Sequence, residues 1–135
     1  MNHITPLIID RTTKTPQIIF DPINGVYEIS GRSLPENVVK TYEPVLQWID
    51  QNIGKIHDPV VVNFKLDYLN SASAKMVSLI LTKLEEFYKS GSSIEIKWYY
   101  NYDDDDILSE GEIYAKLKKI PINLIGIDEN DEEKE

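Results

Sequence analysis

The stretch Val60-Val61-Val62-Asn63-Phe64-Lys65-Leu66-Asp67-Tyr68-Leu69-Asn70-Ser71-Ala72-Ser73-Ala74-Lys75 decides the fold. It opens as a nearly unbroken apolar run and closes in alternation, the pattern of an interior strand covered on both faces, and so predicts the centre of a sheet over 60–66. Over 75–89 the apolar residues Met76, Leu79, Ile80, Leu84 and Phe87 recur at helical spacing, and Ser90-Gly91 stops the helix. Between strand and helix, Asn70-Ser71-Ala72-Ser73-Ala74 places two hydroxyls and an amide where free N–H groups and the positive end of the helix dipole meet. Two readings stay open there. Asn70 or Ser71 simply caps the helix, or one hydroxyl accepts a phosphate.

Downstream, 93–100 reads as another strand with Ile94, Ile96, Trp98 and Tyr100 on one face. Four aspartates, Asp103 to Asp106, then break the chain. Ser109 and Glu112 stand three apart as a capping box for a short helix through about Lys118, before Pro121. The last apolar stretch, 122–127, is a strand or an extended segment packed on the body. Upstream, 7–10 and 17–20 are isoleucine-rich strands, and Asn24-Gly25 suits a hairpin turn with both central residues at positive φ, leading into 26–30. Pro35-Glu36-Asn37 looks like a helix start with Ser33 as its cap. Val38, Tyr42, Val45, Leu46 and Ile49 follow at helical spacing, Pro44 predicts a kink or two pieces, and Gly54 closes the segment. Strands first, then helix alternating with strand, predict an α/β (α+β) domain: a mixed β-sheet with helices packed mainly on one face.

Length and composition suit one domain over 1–127. The 135 residues, 41% of them hydrophobic, sustain a core without metal or cross-links, so no cofactor is required. A net charge of −9 disfavours nucleic acid and anionic membrane surfaces as partners. Much of the excess sits in 128–135, read as an acidic flexible tail. Absence of cysteine removes disulfides, thiolate zinc sites and cysteine nucleophiles, and fits a reducing compartment. With neither a signal peptide nor a long apolar segment, the sequence reads as cytoplasmic. His3 and His57, the only histidines, lack partners at metal-ligand spacing. There is no Walker motif, dinucleotide fingerprint or nucleophile elbow. Asp103, Asp104, Asp105 and Asp106 supply hard oxygen ligands without the alternation of a calcium loop, so a solvated loop competes with an ion site or an acidic patch for a basic partner.

Lys75 lies where a cation is unfavourable against the helix dipole, yet four residues after Ser71 it is within reach of a phosphate placed there. Ala72 and Ala74 leave the hydroxyls accessible. Together with Ile94-Glu95-Ile96-Lys97-Trp98-Tyr99-Tyr100 and the acidic run into Glu110-Gly111-Glu112, residues 66–75 resemble the bacterial SiaC-type regulatory phosphoproteins, which are similar to anti-sigma-factor antagonists and their STAS-like fold. The resemblance spans about residues 5–125 and rests on the order and spacing of these pieces.

The resemblance implies a non-catalytic partner-switching module. A serine/threonine protein kinase phosphorylates it, a PP2C-type phosphatase reverses this, and the unmodified form engages a downstream target, in the best-known branch a diguanylate cyclase. It places the acceptor on the hydroxyl residue after the asparagine, here Ser71. The family usually has threonine followed by serines, whereas this chain has Ser71 and then Ala72, which keeps Ser73 as a second candidate. The partner-facing surface would comprise Asn70, Ser71, Ala72, Ser73 and Lys75. Two competing readings are a cation-dependent domain or small enzyme using Asp103 to Asp106 with Glu110 and Glu112, and a binding scaffold indifferent to phosphorylation.

Overall fold

In the computed structural model, which describes residues 4–128, six strands form one sheet in sequence order: β1 (Leu7–Ile9), β2 (Gln17–Asp21), β3 (Val26–Ser33), β4 (Val60–Leu69), β5 (Ile94–Asn101) and β6 (Ile122–Ile127). The first three pair antiparallel, and β3 to β6 are parallel. Each parallel connection carries one helix: α1 (Val38–Asn52, followed by a 3-10 turn at Ile53–Lys55), α2 (Ser71–Lys89) and α3 (Asp105–Leu117). The helices therefore all start from the C-terminal edge of the strands and run parallel to one another. His3 and the tail from Glu129 onward lie outside the described residues.

Register explains the core. The row Leu7, Phe20, Tyr27, Val62, Ile96, Ile122 and the row Ile9, Ile18, Ile29, Phe64, Trp98, Leu124 each cross all six strands on one face. The central members of both rows are buried under the helices with Tyr42, Val45, Ile49, Val77, Ile80, Leu81 and Leu84. All three helices cover this face. Lys83 of α2 pairs with Asp50 of α1 at 2.9 Å, and Tyr114 of α3 donates to the Ala74 carbonyl of α2 at 3.0 Å.

β4 is central, as its sequence predicts, but it is covered on one face only. Val61, Asn63 and Lys65 are half-buried on the open side, where Lys65 meets Glu28 at 3.6 Å and lies 5.0 Å from the Tyr99 ring centre. The apolar Val60-Val61-Val62 run imitates a two-sided strand because β-branched residues also suit a half-exposed pleat. The strand runs on to Leu69, past a bulge opposite Gly31 and Arg32 that leaves Asp67 without a partner on β3. Leu79, expected in the core, is 51% exposed, while Val77 and Leu81 are buried in its stead.

Four local expectations are corrected. The β2–β3 turn spans four residues, with only Gly25 at positive φ (+68°). Asp21 shapes it, accepting from the Ile23 and Asn24 N–H groups and from Asn24 Nδ2. Helix α1 is capped by Asn37, whose Oδ1 accepts from Lys40 N, because Ser33 is buried at the end of β3; Pro35 and Glu36 precede the helix. Pro44 sits inside one continuous helix; the carbonyl it leaves unpaired belongs to Lys40, on the exposed side where water reaches it. The aspartate run starts α3 instead of breaking the chain. Asp104 is the cap, accepting from Ile107 N at 3.0 Å, and Asp105 and Asp106 fill the first turn against the dipole, leaving Ser109 and Glu112 inside the helix. Residues 122–127 are a strand, hydrogen-bonded at the sheet edge.

The Asp21 carboxyl is held below its ordinary value by the Asn24 side chain, against the opposing effect of burial, with the Asn24 and Ile23 N–H groups adding to the lowering. A depressed folded pKa makes this turn's stabilisation complete above the ordinary value of 3.8 and lost as pH falls through the folded value. Asp21→Asn is therefore expected to destabilise the chain at pH 7 and to flatten the acid limb of its stability curve, read by urea unfolding between pH 2 and 7. A limb as steep as that of the unchanged chain would refute the assignment.

Candidate functional site

Where β4 ends, the backbone turns sharply into α2. Asn70 is extended (φ −80°, ψ 170°), and its side-chain oxygen accepts from Ser73 N at 2.8 Å. Its own N–H donates to the Ser33 carbonyl at 3.1 Å, tying the turn to β3. Asn70 is the cap, so Ser71 is the first helical residue. Ser71, Ala72 and Lys75 are exposed, and Ala74 is half-buried beneath Tyr114. Among the described residues the Ser71 and Ala72 N–H groups have no protein acceptor, and Lys75 has no ion pair. An anion at Ser71 would thus meet two free donors and the positive helix end.

Ser73 occupies the opposite environment. It is fully buried; Tyr42 Oη donates to Ser33 Oγ at 2.6 Å, Ser33 Oγ to Ser73 Oγ at 2.7 Å, and Ser73 Oγ to the Ser33 carbonyl at 3.1 Å. The direction follows because each hydroxyl has one proton, and the last can only go to a carbonyl. Burial pushes the Tyr42 hydroxyl pKa up, against a smaller lowering by Ser33, so it remains a neutral donor. This relay joins β3, α1 and the first turn of α2, and sequence periodicity cannot reveal it, since Ser33 and Ser73 are forty residues apart. Tyr42→Phe leaves Ser33 Oγ short of a donor in a buried site and is expected to cost about 1–2 kcal/mol, measured by urea unfolding. An unchanged midpoint would show the relay to be energetically idle.

Between the end of β4 and the start of α3, a cleft of about 450 Å³ is lined by Asp67, Tyr68, Leu69, Asp104, Asp106, Ile107, Ser109 and Glu110. Of the carboxylates expected at a cation site, Asp104, Asp106 and Glu110 line this cleft, while Asp103 and Asp105 join Asp104, Asp106 and Asn101 around an open hollow at the start of α3. Asp104 is spent on its cap, and no group of three His, Asp or Glu side chains among the described residues could hold a metal. Glu112 is exposed, and His57 lies exposed in the loop before β4. On α3, burial and the nearby Glu110 carboxylate push the Tyr114 hydroxyl pKa up, keeping it a donor to Ala74. Among the described residues no helix is long and apolar enough to cross a membrane.

One open sheet face, one helix-covered face and an exposed hydroxyl at the head of the middle helix define the class: a small α/β module that presents a helix start. The chain belongs to the SiaC family of regulatory phosphoproteins, whose pattern matches residues 9–127. It is similar to SiaC of Pseudomonas aeruginosa, at 26% identity and a TM-score of 0.82 over 91% of this chain and 99% of that one. It is equally similar, at 26% identity and a TM-score of 0.83 over 90% of this chain and 99% of that one, to a chain in the crystal structure of the P. aeruginosa diguanylate cyclase SiaD in complex with its activator SiaC. An uncharacterized protein of P. aeruginosa strain UCBPP-PA14 is 27% identical over 126 residues, covering 93% of this chain and all of that protein.

Proposed function

We propose that this chain is a non-catalytic cytoplasmic switch protein whose unmodified form binds and activates a diguanylate cyclase, and whose phosphorylation on Ser71 ends that binding. A serine/threonine kinase and a PP2C-type phosphatase would set the balance. The observation that carries this reading is the contrast between the two hydroxyls of the α2 start. Ser71 is exposed at the first helical position with free N–H groups beside it, whereas the Ser73 oxygen is sealed in the relay and out of reach of another protein's active site. That burial speaks against Ser73 as the alternative acceptor.

Asn70 shapes the turn, Ala72 keeps it open, and Lys75, one helical turn on, is the cation nearest in sequence to a phosphate on Ser71. The structural match to an activator solved together with its cyclase supports the target class. The test is to incubate the chain with its kinase and ATP, map the phosphate by mass spectrometry, and compare cyclase binding of Ser71→Ala and Ser71→Asp. Phosphate on Ser71, with binding by the alanine variant alone, is expected. Equal binding by both variants with no phosphate at Ser71 would sink the reading.

A further inference from the structure

Of the N–H groups of Ser71, Ala72, Ser73 and Ala74 that open α2, two are spent. Ser73 N–H goes to Asn70 Oδ1 at 2.8 Å and Ala74 N–H to the Asn70 carbonyl at 2.9 Å, which leaves those of Ser71 and Ala72 without a protein acceptor among the described residues. Asn70 therefore decides where the free pair points. It is held from both sides: its own N–H reaches the Ser33 carbonyl at 3.1 Å, and its side chain is gripped by Ser73.

The Ser33 carbonyl receives a second donor. Ser73 Oγ reaches it at 3.1 Å, so Asn70 and Ser73 close a ring of bonds on one acceptor at the end of β3. Left to itself, a first-turn serine hydroxyl turns to a nearby backbone group or to water. Here it is drawn inward, because Ser73 Oγ also accepts from Ser33 Oγ at 2.7 Å and Ser33 Oγ from Tyr42 Oη at 2.6 Å. All three residues are 0% exposed, so water does not compete for these bonds.

We infer that Ser73, Ser33 and Tyr42 are positioning residues for the phosphoacceptor: through Asn70 they hold the Ser71 and Ala72 N–H groups in the geometry that steadies a phosphate on Ser71 and presents that hydroxyl to the kinase. Sealed inside the fold, none of the three meets the phosphate; each acts through the next. The order of influence follows the bonds. Ser73→Ala removes one of the two donors to the Ser33 carbonyl and with it the inward anchor of the first turn. Ser33→Ala removes the donor that orients Ser73, and Tyr42→Phe the donor that orients Ser33. This role rests on the proposed function and deepens it, since it ties the exposed acceptor to hydroxyls on β3 and α1.

The test phosphorylates the full chain and each variant with the kinase and ATP, confirms the site by mass spectrometry, and follows the phosphate by phosphorus NMR against pH. Donors on the dianion favour it, so the phosphate of the unchanged chain is expected to titrate below the ordinary second pKa of about 6. Its midpoint is expected to rise by about 0.3 pH unit or more in Ser73→Ala, less in Ser33→Ala and least in Tyr42→Phe, with the kinase's kcat/KM falling about tenfold for the first. Lys75, Asp67, Asp104, Asp106 and Glu110 remain in every variant, so the differences among variants report the relay. Ile53→Val, a buried truncation just past the far end of α1, lowers stability without touching the relay and is expected to change neither reading. Midpoints and rates equal to those of the unchanged chain in all three relay variants, with phosphate on Ser71, would overturn the positioning role and leave the switch standing. Changes that simply follow melting temperature, Ile53→Val included, would overturn it as well. No phosphate on Ser71 of the unchanged chain would remove the switch and the positioning role together.

Discussion

Gly111→Ala is expected to destabilise the chain by about 2 kcal/mol, although alanine is the better helix former by about 1 kcal/mol. A Cβ at position 111 would stand 2.4 Å from Trp98 Cδ1, 2.6 Å from its Nε1 and 2.8 Å from Leu124 Cδ2. The indole has nowhere to go. Its N–H donates to the Ile107 carbonyl at 2.8 Å, Phe64 lies against it at 5.5 Å between ring centres, and Tyr114 meets it edge-on at 5.4 Å. Helix α3 must therefore lift from the sheet, losing packing over β5 and β6 and stretching the Trp98 hydrogen bond. Urea unfolding should show the lower midpoint, with the melting temperature down by several degrees. A midpoint equal to or above that of the unchanged chain would mean α3 is loosely seated.

The same substitution reaches the candidate site. Tyr114, one turn after Gly111, holds the Ala74 carbonyl, so lifting α3 loosens the first turn of α2. Faster amide exchange at Ser73 and Ala74 than at Ile80 or Leu81 is the expected signature.

Residues whose partners are near in sequence were legible without coordinates. The α2 helix, the order of strands and helices and the one-sided helix layer follow from periodicity and from Gly and Pro punctuation. Errors fell where a tertiary neighbour decides between two locally reasonable states. Ser33 has the chemistry of a cap but is claimed by Tyr42 and Ser73, so Asn37 caps instead. Asp103 to Asp106 look like a loop by charge alone, yet the helix dipole makes them a good start, and Ile107 and Trp98 fix that start against the sheet. Leu79 fits the helical stripe as well as Val77 does; only the placement of α1 determines which of them is covered. At the site, the hydroxyl next to Asn70 was readable, but the division of Ser71 from Ser73 into exposed and sealed positions was not, because it depends on β3.

Stoichiometric phosphate on Ser71 is expected to lower affinity for the cyclase about a hundredfold while moving the melting temperature by no more than a degree or two. The fold barely responds because the added charge, about −1.5 to −2, lands on an exposed first helical position, where the dipole and the free Ser71 and Ala72 N–H groups return about 0.3–1 kcal/mol. The acids lining the nearby cleft, Asp67, Asp104, Asp106 and Glu110, oppose that gain through solvent, so the net effect on stability stays small. At an interface the balance reverses. A dianion pressed between partners loses its hydration and cancels the positive helix end that the unmodified Ser71 presents. A loss of about 3 kcal/mol there corresponds to the hundredfold change. Ser71→Asp carries about half to two-thirds of the charge and should fall short of it. A phosphorylated chain that melts far below the unmodified one, or that binds the cyclase equally well, would be evidence that Ser71 acts through the core or not at all.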